Sequence, residues 1–181
     1  MVTTSAAGSS TLRTSPCTSA GRLFDGASAL CGLGAENTFE GQAAMRLEAC
    51  AAGRRGASGG GYPFSLRRDG GLLAIDWRDA VAGIVADRER AVPPEKVARR
   101  FHETVASMIL AAASRLAEET GARHVLLSGG TFQNLLLLGR LLPALRARRL
   151  VPVIHHQVPC NDGGLALGQA FHAAAKLSGE G

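Results

Sequence analysis

Two short apolar runs, HVLLS at residues 124–128 and VPVIH at residues 151–155, bracket a leucine-rich stretch of helical period, and that order leaves few folds open. A strand, a helix and a second strand in succession make a βαβ unit, with parallel strands and a right-handed crossover. The chain is therefore expected to be α/β. Ligands of parallel sheets gather outside the carboxyl ends of the strands. The polar segments that follow the two runs, SGGTFQN (128–134) and HHQVPCNDGG (155–164), are thus expected to face one crevice.

The remaining pattern is mostly helical. Leu23, Phe24, Ala27, Leu30 and Leu33 fall on one helical face, closed by Gly32 and Gly34. A second short helix is expected over residues 40–51. GRRGASGGGYP (53–63) is a loop by composition and open to motion. LLAIDW (72–77) reads as a short strand, with Asp76 placed to cap the helical run that leads to Asp87. Pro93 and Pro94 break that run and start the longest helix, over about 94–119, in which Val97, Phe101, Val105, Met108, Ala112 and Leu116 recur at three- and four-residue steps. HVLLS is expected to be a buried strand. Helices are expected over 132–149 and 164–177.

With 181 residues, 46% of them apolar, the chain can bury the core of one ordinary domain. One Trp, one Tyr and six Phe leave that core to Leu, Ala and Val. The net charge of +5 comes from dispersed arginine pairs on faces expected to be solvated, such as Arg99/Arg100 and Arg146/Arg148/Arg149. A nucleic-acid binder would concentrate charge and interleave aromatics, so no nucleic-acid partner is expected. Four cysteines without CxxC spacing argue against a zinc knuckle or a disulfide scaffold and for a reduced, cytoplasmic setting. No stretch approaches the roughly 18 apolar residues of a membrane span. Residues 1–16, small and hydroxylated, are expected to be disordered, with the folded portion over 17–181.

Within the two loops, Gly129 and Gly130 strip side chains from the point where a strand turns into a helix. That suits either a tight turn or the approach of a flat or anionic ligand to backbone amides. Asp162 precedes a helix and suits either an N-cap or a ligand to a hard cation. His155 and His156 are adjacent on a strand end, so they point to opposite faces and read as structural. Cys160 lacks a neighbouring acid or base to activate it.

Four stretches carry more than spacing. TSAGRLFDGASALCGL (18–33), FEGQAAMRLEACAA (39–52), LLSGGTFQN (126–134) and VPCNDGGLALGQA (158–170) resemble, in that order, the C-terminal part of the HypF family of hydrogenase maturation carbamoyltransferases, in its domain similar to TsaD. The resemblance covers roughly residues 17–177. It implies the C-terminal lobe of an actin/hexokinase/Hsp70-like ATPase fold. It further implies an enzyme that uses carbamoyl phosphate and ATP, forms a carbamoyl-adenylate, and passes the carbamoyl group to the C-terminal cysteine thiol of HypE. Position by position, it makes Asp162 a ligand of a divalent metal ion and Asn134 a contact to nucleotide or substrate. Gly129 and Gly130 become backbone that packs on the adenosine. Asp25 becomes a ligand contact from the first helix, and Gly41, in EGQ, part of a ligand-facing turn.

The departures matter as much. The family's histidine metal motif and phosphate-binding turns lie in sequence that precedes this segment, and its adenylate-forming regions are likewise expected on a missing N-terminal part of HypF. Asp162 is then without its usual co-ligands. The expectation is a fragment or half of a split enzyme that depends on complementary parts. A lobe that binds nucleotide or docks a partner without catalysis is the alternative.

Overall fold

The computed structural model describes residues 19–34, 36–53 and 59–179; the expected disorder of residues 1–16 lies outside them. Among the described residues, six α-helices and four strands follow one another as α1 (Ala20–Leu30), α2 (Gln42–Ala52), β1 (Ser65–Asp69), β2 (Leu72–Asp76), α3 (Arg78–Glu89), α4 (Pro94–Thr120), β3 (His124–Leu127), α5 (Leu135–Ala147), β4 (Val151–Ile154) and α6 (Leu165–Leu177). Short 3-10 turns, Gly130–Gln133 and Asp162–Gly164, precede α5 and α6.

The long helix α4 organises the fold. Proline at its first position, which needs no amide donor, starts it, and Gly121 in the left-handed region (φ 73°) ends it. Its stripe of Val97, Phe101, Val105 and Met108 is buried against α2, α5 and α3. Phe24 of α1 meets Phe101 edge to face, with centroids 5.0 Å apart. Leu47 of α2 and Leu137, Leu141 and Leu145 of α5 complete a core of aliphatic residues from which water is excluded. The stripe stops early, because Leu116, expected on the same face, is 45% exposed. The last turns of α4 extend beyond the elements that cover it.

β3 and β4 pair in parallel, with His124 opposite Val151 and Leu127 opposite Ile154, as the βαβ pattern requires. Their burial differs from expectation. Leu127 is buried whereas Leu126 is 73% exposed, so only one face of this sheet is covered. No residue of α6 is buried, although its composition is apolar. The helix expected from residue 132 begins at Leu135, because Asn134 takes an extended conformation (φ −73°, ψ 106°) and caps it.

β1 was not legible as a strand, since SLRRD has no apolar alternation and is largely exposed. Its partner β2 is the expected run. They join through Gly70 and Gly71, both at positive φ (55° and 85°), the backbone that a two-residue hairpin turn requires. Asp76 accepts from the Arg78 amide at 3.2 Å, next to the start of α3.

Two further expectations are corrected. The Gly-rich segment is held down where it is described: Tyr62 is buried, and its amide donates to Thr104 Oγ1 at 2.6 Å. Arg99 is not solvated but buried against α2, with Nε 3.3 Å from the Ala51 carbonyl oxygen. A guanidinium there satisfies a carbonyl that the helix end leaves without an internal donor.

Candidate functional site

The two loops at the carboxyl ends of β3 and β4 meet. The Gly129 amide donates to the Cys160 carbonyl at 2.7 Å, and Ser128 Oγ lies 3.0 Å from His155 Nε2. Against them stand the first turn of α1 and the segment that leads into α2. Together they enclose a crevice of about 740 Å³, within the range of a small-molecule site.

Five positions singled out from sequence line this crevice: Asp25, Gly41, Gly130, Asn134 and Asp162. They come from four separate stretches of chain. Gly129, the sixth, is not a lining residue; it sets the loop behind Gly130. Asp25 pairs with Arg22 at 3.5 Å, one helical turn away. Gly41, at φ 77°, makes the turn into α2.

The two glycines of the loop differ in what they do. Gly129 has φ 103° and ψ 158°, a backbone conformation closed to residues with a Cβ. Gly130 has ordinary backbone angles, and a Cβ built on it meets nothing within 4 Å, so its missing side chain leaves open crevice. Gly129→Ala should therefore lower folding stability by about 1–3 kcal/mol, whereas Gly130→Ala should leave it within about 0.5 kcal/mol. Urea denaturation of the two variants checks this. Equal losses would mean that the glycines share one conformational role.

Asn134 is 7% exposed and its side chain is already engaged. Its Oδ1 accepts from the Leu137 amide at 2.8 Å, and its Nδ2 lies 3.0 Å from His102 Nε2. Glu48, reaching across from α2, accepts the Leu136 amide through Oε1 at 3.0 Å. Two amides of the first turn of α5 are thus taken by the protein itself, and one of the acceptors is a carboxylate. A second anion is disfavoured beside that carboxylate, and the loop lines the crevice through Gly130, Thr131, Gln133 and Asn134.

Asp162 is exposed, and capping of the turn it begins falls to its neighbour: Asn161 Oδ1 accepts from the Gly163 amide at 3.1 Å. Its carboxylate suits a hard cation in kind. Among the described residues, however, no group of three or more His, Cys, Asp or Glu is placed to hold a metal ion. These residues alone do not fit a divalent ion. Cys160 contributes its carbonyl to the loop junction and does not line the crevice.

Glu48 and His102 were not found from sequence. For Glu48 a signal existed: Gly41, Ala44 and Glu48 recur at three- and four-residue steps and all line the crevice. For His102, 32 residues from its partner, no local signal existed.

A family model described as "Carbamoyltransferase, Kae1-like Domain, second subdomain" matches residues 3–169. The carbamoyltransferase HypF of Rhodobacter capsulatus is 41% identical over 160 residues, which are 88% of this chain and 20% of that protein. The HypF of Synechocystis sp. is 37% identical over 156 residues, 85% of this chain and 19% of that one. Among solved structures, full-length HypF in the phosphate- and nucleotide-bound form superposes with a TM-score of 0.80 at 36% identity, over 88% of this chain and 20% of the other. Fold and similarity together define an α/β subdomain of a carbamoyltransferase. The chain belongs to the HypF carbamoyltransferase family and spans about a fifth of the length of these relatives.

Proposed function

We propose that this chain supplies the adenosine-facing wall of a carbamoyl-transfer site, in the lobe of an actin/hexokinase/Hsp70-like fold that closes on the nucleotide. The observation that carries this reading is the meeting of Asp25, Gly41, Gly130, Asn134 and Asp162, distant in sequence, around one crevice at the ends of two parallel strands. A relative of the same fold is known in a nucleotide-bound form. In the whole enzyme the site would take carbamoyl phosphate and ATP and deliver the carbamoyl group to the thiol of HypE, a step of hydrogenase maturation. The free thiols Cys31, Cys50 and Cys160 are compatible with a cytoplasmic setting.

Charge decides which end of the nucleotide this wall receives. Asp25, Glu40, Glu48 and Asp162 line the crevice, with Arg22 as the basic residue among the lining. Four carboxylates repel a polyphosphate, while a neutral nucleoside is indifferent to them. The amides at Gly130 and Thr131 and the apolar side chains of Phe24, Phe39, Ala44 and Met45 suit a ribose and base. Asp162 alone does not hold a divalent ion; were the remaining ligands supplied by the rest of the enzyme, its carboxylate would contribute one oxygen, and the ion would supply positive charge for a triphosphate.

Isothermal titration checks the reading. Adenosine is expected to bind the chain, and ATP in EDTA to bind roughly tenfold more weakly, a difference of about 1.4 kcal/mol. Absence of adenosine binding at millimolar concentration would sink the proposal. For the transfer step, the chain would be combined with the remaining domains of a HypF relative, carbamoyl phosphate, ATP and HypE. A thiol that stays unmodified in a folded mixture would leave only the noncatalytic lobe.

A further inference from the structure

The buried residue that the crevice does not yet account for is His102. It is fully buried in α4, edge-on to Phe24 and Phe101 at centroid distances of 5.4 and 6.1 Å. Its two ring nitrogens have separate partners. Nδ1 lies 2.8 Å from the Ala98 carbonyl oxygen, one turn back in the same helix, and Nε2 lies 3.0 Å from Asn134 Nδ2.

These contacts determine one another. The Leu137 amide can only donate, so the Asn134 atom 2.8 Å from it is the carbonyl oxygen. The other end of that amide group, facing His102, is therefore NH2, which can only donate. Nε2 must then present a lone pair. The proton of a neutral imidazole is left on Nδ1, where the Ala98 carbonyl accepts it. Along the chain Ala98 carbonyl, His102 ring, Asn134 amide and Leu137 N–H, each contact pairs a donor with an acceptor in this arrangement alone, and reversing one of them opposes two donors or two acceptors. Burial pushes the His102 pKa down, against smaller opposing contributions from its own hydrogen bond and from Glu48, with Arg140 acting in the same direction as burial. Burial thus favours the neutral ring that these contacts require.

We propose that His102 is a positioning residue of the crevice: it locks the Asn134 side chain in the orientation that caps α5 and leaves one N–H donor for a crevice ligand. Without the imidazole acceptor, the Asn134 amide would have a buried donor with no partner and would lose its fixed orientation. Only the ligand-binding arm of this proposal rests on the reading of the crevice as an adenosine site.

The test uses the full chain and two variants, His102→Leu, which removes the acceptor, and His102→Gln, whose amide oxygen can replace it. Long-range nitrogen–proton NMR on the unsubstituted chain should find the ring protonated at Nδ1 alone. The Asn134 Nδ2 proton pair should be distinct and slow to exchange in the unsubstituted chain and in His102→Gln, and averaged in His102→Leu. Adenosine affinity should fall about tenfold in His102→Leu and stay within about threefold of the original in His102→Gln. A ring protonated at Nε2, or Asn134 resonances unchanged by His102→Leu, would overturn the proposal. If His102→Leu does not fold, the tautomer and the His102→Gln variant decide. Should adenosine fail to bind while the NMR results are as expected, the positioning role stands and the nucleoside reading falls.

Discussion

Replacing Phe24 by Ala is expected to lower folding stability by about 3–5 kcal/mol, the largest effect of any single truncation near the crevice. Phe24 is 2% exposed and is the wedge between α1 and α4. Its ring meets Phe101 edge to face at an interplanar angle of 88° and His102 at 75°. Truncation removes both aromatic contacts and leaves a void that α1 can close only by shifting. α1 carries Asp25, and Phe24 itself lines the crevice, so such a shift would also move one wall of the site. Thermal melting should fall by roughly 10 °C for a chain of this size, and urea denaturation gives the free energy directly. A loss below about 1 kcal/mol would mean that the site collapses around the void, and that the aromatic cluster is not what holds α1 in place.

Asp87→Ala is expected to cost about 3 kcal/mol, by stranding partners rather than by leaving a void. Asp87 Oδ2 accepts from the Tyr62 hydroxyl at 2.8 Å and from Arg100 at 2.5 Å. Arg100 also lies over the Tyr62 ring, 4.1 Å from its centroid, and donates to the Gly60 carbonyl at 3.3 Å. Burial first, and then the hydrogen bond to Asp87, push the Tyr62 phenol pKa up, so it remains a protonated donor that needs an acceptor. Gly83 admits the ring: a Cβ there would lie 2.6 Å from Tyr62 Cδ1. Without Asp87 a guanidinium and a phenol are left in a largely buried site with no carboxylate, and Tyr62 loses its side-chain tie to α3. Tyr62→Phe, which deletes one neutral donor, should cost only about 1 kcal/mol. If the two variants are equally destabilised in denaturant, the Arg100–Asp87 pair contributes nothing and the hydrogen bond is the whole of the tie.

Much of the fold is legible in the sequence because it rests on local periodicity. The Val97–Phe101–Val105–Met108 stripe, the prolines at 93 and 94, and Gly121 after the helix specify α4 almost to the residue. The parallel pairing of β3 and β4 follows from their order around a helix. The hairpin β1–β2 was half legible. Its turn is marked by Asp69-Gly70-Gly71, but β1 is an exposed strand held by backbone pairing and has no apolar alternation to announce it. Burial was the least legible. HVLLS was expected to be covered, yet Leu126 is 73% exposed, and in α6, for which the sequence carried no burial expectation, Phe171 is 76% exposed. Apolar composition says that a face favours a partner, not that these residues provide one.

The candidate site divides along the same line. Short-range constraints sufficed for the glycines that follow β3, a positive φ at Gly129 and an open position at Gly130, but not for Asn134, which caps α5 inside the stretch expected to be helical. They did not reach the contacts that set the loop's chemistry. Glu48 meets the Leu136 amide across 88 residues of sequence, and His102 meets Asn134 across 32. Helical period assigns a side chain to a face, and turn chemistry assigns a glycine to a backbone angle, but neither says which distant face will lie opposite. The sequence by itself determined the elements other than β1, and the two loop ends that meet at the crevice. Tertiary packing decided the acidic lining, the capped start of α5 and the orientation of Asn134, because hydrogen bonds and charges take their partners from whatever the core brings within about 3 Å.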